Sequence, residues 1–142
     1  MTPKERARHI AETMLSREGT GPAWGLEIED IDEGYARIAM TLRADMLNGH
    51  GIAHGGMLFS LADTAFAYAC NSRNVPTVAQ SATIVFLDPG KKGERVVAEA
   101  KDLNPLRVKL FKYTIGLLGS IGWDSNPTLC AQMGWQRGQK WL

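Results

Sequence analysis

Several features that mark common protein classes are scarce in this 142-residue sequence. It has two cysteines and no Cys-x-x-Cys pair, so neither a zinc site nor a redox pair is indicated. A net charge of +1 leaves no electrostatic footprint for nucleic acid. No apolar run approaches the ~18 residues of a membrane span, and the charged residues within 3–17 exclude the pattern of a secretory signal. We therefore expect a cytoplasmic protein that binds neither nucleic acid nor membrane.

Length and hydrophobic patterning predict one α+β domain over residues 1–142. Consecutive strands joined by short turns favour an antiparallel sheet, and the second helix is apolar nearly all round, which is typical of a buried helix. The sheet is therefore expected to wrap around that helix. The predicted elements are helices at 3–16 and 54–71, with strands at 24–31, 34–42, 77–87, 94–103, 106–118 and 128–136.

The most informative stretch is 48–63, where a polar, glycine-rich loop leads directly into the apolar helix. A helix N-terminus offers unpaired backbone N–H groups and a partial positive charge. The only charged residue of the helix, Asp63, follows Gly55 by two turns, or roughly 12 Å at ~1.5 Å per residue. One site can use both groups only if they come from two copies of the helix. The spacing therefore predicts a dimer with its chemistry at the subunit interface.

Four short segments carry a resemblance to a known family: 47–50 (Leu-Asn-Gly-His), 54–56 (His-Gly-Gly), 61–65 (Leu-Ala-Asp-Thr-Ala) and 86–90 (Phe-Leu-Asp-Pro-Gly). At these spacings the sequence resembles the hotdog-fold acyl-CoA thioesterases, with the phenylacetic-acid-degradation thioesterases most alike. The resemblance implies a hotdog fold, a dimer with one continuous sheet that commonly pairs into a homotetramer, and hydrolysis of acyl-CoA or aryl-acyl-CoA thioesters such as phenylacetyl-CoA or its hydroxylated forms. It implies no cofactor, because coenzyme A is part of the substrate.

The same resemblance implies catalytic roles for four residues. Asp63 is expected to act as a general base on water or as a direct nucleophile, and the residues leave these two mechanisms open. Gly55 is expected to donate its backbone N–H to the thioester oxygen, and Asn48 to donate its side-chain amide to the same atom. His54 is expected to orient Asn48 or the helix start. Taken alone, Asn48 before a glycine indicates a turn, and His54 a cap.

Further residues are candidates to bind substrate. Gly56 serves either the substrate or packing, and Ser81 either assists Asp63 in holding water or is structural. Phe59 and Phe66 shape an acyl or aryl pocket or simply fill the core. The cations Lys91, Lys92 and Arg95 are candidates for the CoA phosphates, with a solvated turn as the alternative.

Two motifs of other enzyme classes are absent from the sequence. No His-x-x-His or Cys/His cluster indicates a metal, and no Gly-x-Ser-x-Gly elbow indicates a serine hydrolase. A hotdog enoyl-CoA hydratase or dehydratase and a non-catalytic acyl-CoA sensor remain the alternatives. Residues 104–142 are atypical of the family, which indicates either a native variant or a reading-frame change in the gene.

Overall fold

The computed structural model describes residues 1–102, 112–118 and 127–135, with residues 80–81 and those beyond 102 described by their backbone only. Its elements follow the predicted order of helix, two strands, long helix and four strands, which confirms the α+β class. They are α1 (Pro3–Arg17), α2 (Thr20–Trp24), β1 (Glu27–Asp32), β2 (Tyr35–Thr41), a 3-10 turn (Ala44–Met46), α3 (Gly55–Asn71), β3 (Ala79–Phe86), β4 (Arg95–Asp102), β5 (Lys112–Leu118) and β6 (Pro127–Trp135).

The strands form one antiparallel sheet in the order β1-β2-β4-β5-β6-β3. The strands β5 and β6 come from the atypical C-terminal region, close to the predicted ranges 106–118 and 128–136. They connect β4 to β3, so this region supplies the middle of the sheet between them. Residues 103–111, 119–126 and 136–142 lie outside the described part.

The N-terminal helix begins as its sequence predicts. Thr2 accepts a hydrogen bond from the Glu5 amide, the Glu5 carboxylate accepts one from the Thr2 amide, and Pro3 takes the first helical position. After α1 the chain forms the short helix α2, which is not among the predicted elements. That helix ends at Gly25 in the left-handed conformation (φ 65°), which delays the start of β1 to Glu27 rather than residue 24.

The core lies between α3 and the concave face of the sheet. On β2 and β4, paired residues such as Ile38 and Ala98 point to the same side and are fully buried. The alanines of β4 are small, so the helix can lie close to the strand. Nine residues of α3 are buried: Leu58, Leu61, Ala62, Thr64, Ala65, Phe66, Tyr68, Ala69 and Cys70.

The two edges of the sheet differ. The β1 edge is contacted by α1, where Lys4 pairs with Asp30 at 3.0 Å. The β3 edge follows exposed chain, and within and beside it Val78, Val85, Phe86 and Leu87 are each more than half exposed. An uncovered apolar edge strand is a template for pairing with another chain.

The connection from α3 to this edge strand is held by one side chain. The amide of Asn71 donates to the carbonyl of Thr77 at 2.9 Å and accepts from the amide of Thr77 at 2.9 Å, as a neighbouring strand would. It also donates to the Ala67 carbonyl at 2.9 Å. Asn71 thereby couples the end of the helix to the chain that enters β3.

Replacing Asn71 with alanine is expected to lower the free energy of unfolding by about 1–3 kcal/mol, because a half-buried amide and carbonyl of Thr77 lose their partners. Urea unfolding followed by circular dichroism measures this. The control is Asn74→Gly, three residues on, where a left-handed backbone (φ 58°) suits glycine and stability should be almost unchanged. Equal stability of Asn71→Ala and wild type would show that the clamp contributes nothing.

Candidate active site

The start of α3 leaves one backbone N–H available. His54 is the N-cap, and its imidazole Nδ1 accepts from the Gly56 amide at 3.0 Å. The next two amides, of Met57 and Leu58, both donate to the His54 carbonyl. Within the described residues the amide of Gly55 has no such partner. The Gly55 N–H is therefore a free donor at the positive end of the helix, and it faces the space in front of the N-terminus of α3.

The loop before the helix turns Asn48 toward the same region. Its side-chain Oδ1 accepts from the amides of His50 at 2.9 Å and Ile52 at 3.4 Å, and its backbone N–H donates to the Ile52 carbonyl. The turn interpretation and the donor interpretation of Asn48 are thus compatible. Because the oxygen holds the turn, the NH₂ end of the amide is the part left to donate.

Two backbone contacts fix this loop to the rest of the domain. The His54 amide donates to the Met46 carbonyl, and the Ala53 amide donates to the Gly90 carbonyl, both at 2.8 Å. Glycine at position 90 suits this close approach, since a Cβ there would lie 2.8 Å from Leu42 Cδ1 and 3.1 Å from Ala53 Cβ and would require both to shift. The loop after β3 and the loop before α3 are therefore positioned together.

A cavity of about 450 Å³ lies between these two loops. Asn48 and Gly55 supply its polar donors, and most of the other side chains are apolar. Its lining is completed by Ile52, Ala53, Leu58, Phe86, Leu87, Asp88 and Pro89. A few polar groups in an apolar pocket are typical of a small-molecule site.

Asp63 sits in a different environment. It lies on a half-buried stripe of α3 together with Phe59, Ser60, Ala67 and Asn71, and the helix residues between these are mostly buried. Burial raises the pKa of its carboxyl above the ordinary value of 3.8. A carboxylate kept partly out of water is more basic than an exposed one, as a general base requires.

In the part of the chain that the structure describes, the four predicted catalytic residues do not line one cavity. Asn48 and Gly55 meet at the cavity, with His54 capping the helix behind them, whereas Asp63 does not line it. This agrees with the two-turn separation inferred from the sequence.

The other candidates fall in several places. The amide of Gly56 is occupied by the His54 cap, Phe59 is half-buried, and Phe66 is 1% exposed in the core. The backbone of Ser81 pairs with Gly134, but its side chain lies outside the described part. Sequence reasoning missed Leu58 and Phe86 as lining residues, although Phe86 begins one of the resembling segments.

The candidate phosphate-binding cations lie in two different environments. Arg95 donates to Glu27 at 2.9 Å and to Glu29 at 2.8 Å, and these carboxylates raise the pKa of the guanidinium. Its charge is thus already balanced on the sheet. Lys91 and Lys92 are exposed in the turn before β4.

Neither a metal cluster nor a membrane helix occurs in the described residues. They contain no group of three or more histidine, cysteine, aspartate or glutamate side chains placed to hold a metal ion. Among residues 1–102, 112–118 and 127–135, no helix has the length and hydropathy needed to cross a membrane.

Comparison with known sequences shows that this chain is similar to thioesterases. The sequence model of the thioesterase superfamily matches residues 50–103. The acyl-coenzyme A thioesterase PaaI of Escherichia coli K12 is 50% identical over 96 residues, which are 68% of this chain and 69% of that protein. The matched segments span 50% to 69% of the first three curated relatives.

Solved structures agree. The E. coli PaaI protein from the phenylacetic acid degradation operon superposes with a TM-score of 0.89 at 36% identity, covering 97% of both chains. A variant of the phenylacetic acid degradation protein PaaI from Thermus thermophilus gives 0.76 at 33% identity, covering 84% of this chain and 99% of that one. The chain therefore belongs to the thioesterase superfamily, a family of thioester hydrolases built on the hotdog fold.

Proposed function

We propose that this protein hydrolyses acyl-coenzyme A thioesters, aryl-acetyl groups such as phenylacetyl among them, at a site shared by two copies of the chain. One observation carries the proposal. The free Gly55 amide and the oriented Asn48 amide meet in a mostly apolar cavity whose described lining does not include Asp63, while this partly desolvated acid lies on the half-buried stripe of the same helix. The class of substrate is supported by the acyl-coenzyme A thioesterase relative and by the operon of its structure.

The second copy is proposed to dock on the β3 edge. This strand ends the sheet, and its described side chains are exposed or half-exposed. The half-buried stripe of α3 runs beside it, with Gly55 near Phe86 at one end and Asn71 near Thr77 at the other. Antiparallel pairing of two β3 strands would set one Asp63 toward the partner's helix start. Two such dimers are proposed to pair into a homotetramer.

In the proposed reaction the thioester oxygen accepts hydrogen bonds from the Gly55 N–H and the Asn48 NH₂. These donors strengthen as the oxygen becomes an oxyanion, and one such donor is worth roughly 3–4 kcal/mol in the transition state. Asp63 of the other copy takes a proton from water as the water attacks the carbonyl carbon. The carbon–sulfur bond then breaks and the thiolate of coenzyme A receives that proton.

Direct attack by Asp63 remains the second route to the same products. The carboxylate would form a mixed anhydride with release of the thiolate, and water would then hydrolyse the anhydride. Label found in the protein after a single turnover in ¹⁸O-labelled water would identify this route, because water that attacks the Asp63 carbon of the anhydride leaves its oxygen on the carboxylate.

Two alternative functions are a hydratase and a sensor. A hydratase needs an acid/base pair acting on carbons 2 and 3 of an acyl chain, whereas the polar groups of the described cavity are Asn48, Gly55 and a single carboxylate, Asp88. A sensor would bind acyl-CoA without turnover. Steady-state assays with enoyl-CoA and phenylacetyl-CoA separate these functions from hydrolysis.

Replacing Asp63 with asparagine or alanine is expected to lower kcat by about 10²–10⁴-fold, as loss of a general base does. Thiol release from phenylacetyl-CoA measures this. Asp63→Asn should keep or raise the free energy of unfolding at pH 7, because it removes a charge that burial disfavours. Asp45→Asn, at an exposed carboxylate paired with Arg43, is the control and should keep full activity. Near-wild-type hydrolysis by both Asp63 variants would refute the mechanism.

Activity should also fall at acidic pH through protonation of Asp63. The ionised form is needed in either route, so kcat/KM decreases as pH falls through the pKa of this group. Since burial raises that pKa, the midpoint should lie above 3.8. A pH profile of kcat/KM tests this, with Asp45→Asn expected to show the same profile. An acidic midpoint at or below 3.8 would contradict the assignment.

Subunit mixing tests the shared site. Asn48→Asp keeps the oxygen that holds the turn but removes the NH₂ donor, and Asp63→Ala removes the base, so each variant alone should be inactive. If each site takes Asn48 from one copy and Asp63 from the other, a mixed dimer contains one intact site. Refolding the two together in equal amounts should then restore about a quarter of wild-type activity, given random pairing. No recovery, with mixed dimers confirmed by native mass spectrometry, would place the site within one chain.

A further inference from the structure

We propose that Phe86 determines substrate specificity by forming the wall against which the acyl group packs next to the reacting carbonyl. This rests on the proposed function. The ring lies directly over the start of α3: a Cβ built on Gly55 would be 2.9 Å from its Cζ and 3.1 Å from its Cε1. Gly55 therefore contributes a donor and, by lacking a side chain, the space that the ring occupies.

The position of the ring dictates what it contacts. A carbonyl oxygen that accepts from the Gly55 N–H lies about 3 Å from that nitrogen. The carbon chain attached to the carbonyl must then leave through the cavity, one side of which is the Phe86 ring and another the buried Leu58. An aromatic acyl group can stack or pack edge to face on such a ring, an interaction that a short aliphatic group does not make.

Packing within one copy of the chain does not require this ring. Phe86 is 52% exposed, although large apolar side chains are usually buried. Its neighbour Val85 is also 52% exposed but points to the opposite face of β3 and does not line the cavity. The two residues thus share strand, edge and exposure and differ in access to the cavity, which makes Val85 a matched control.

The experiment compares kcat/KM for phenylacetyl-CoA and acetyl-CoA in wild type, Phe86→Ala, Phe86→Leu and Val85→Ala. For Phe86→Ala we expect a loss of about tenfold on phenylacetyl-CoA and less than about threefold on acetyl-CoA, since an aromatic pair adds about that much discrimination. Phe86→Leu keeps an apolar wall and should lose part of the aryl preference. Val85→Ala should leave the ratio of the two values unchanged.

The role of Phe86 would be overturned if Phe86→Ala left the ratio of kcat/KM for phenylacetyl-CoA and acetyl-CoA unchanged, or if Val85→Ala shifted that ratio equally. Native mass spectrometry of each variant checks that the oligomer is retained, and a ratio that shifts only with loss of the oligomer also overturns it. A wild-type protein that hydrolyses no acyl-CoA would instead refute the proposed function, so the two failures are distinguishable.

Discussion

The burial of α3 in the concave face of the sheet is the constraint on which the other features depend. The helix packs against small and branched side chains of β2 and β4 on one side and is also contacted by α1, so its axis and rotation are set by packing. Its N-terminus is then held by the His54 cap and by backbone contacts to Met46 and Gly90. A donor that must be placed to within a fraction of an ångström needs such a rigid support.

The same packing accounts for the division of the site. Two turns separate Gly55 from Asp63, and a rigid helix cannot bend to bring them together. The half-buried stripe that carries Asp63 runs beside the β3 edge, with Gly55 near Phe86 and Asn71 near Thr77, so a partner placed there would cover both. Oligomerisation and catalysis would then depend on the same surface.

Much of this arrangement follows from local sequence. Local patterns identify three elements: a capping box marks the start of α1, an apolar run at 54–71 marks the buried helix, and the alternation of Val96, Ala98 and Ala100 marks β4. The short α2 was not anticipated, because Gly-Thr-Gly-Pro suggests a break, whereas Pro22 is tolerated in a first helical turn. Sequence identity to the E. coli PaaI protein is 50% over 96 residues and 36% over the structural match that covers 97% of this chain, and the sheet includes β5 and β6 from the atypical C-terminal region.

The sequence by itself determined the α+β class, the helix start with its free amide, and the separation of Gly55 from Asp63, since these depend on neighbours along the chain. Only the tertiary structure decided which side chains surround the donors. It placed Phe86 over Gly55 and Phe66 in the core, and it engaged Arg95 with Glu27 and Glu29. These contacts join residues about 30 to 70 positions apart, or depend on how a helix is rotated against a sheet, and no local pattern encodes them.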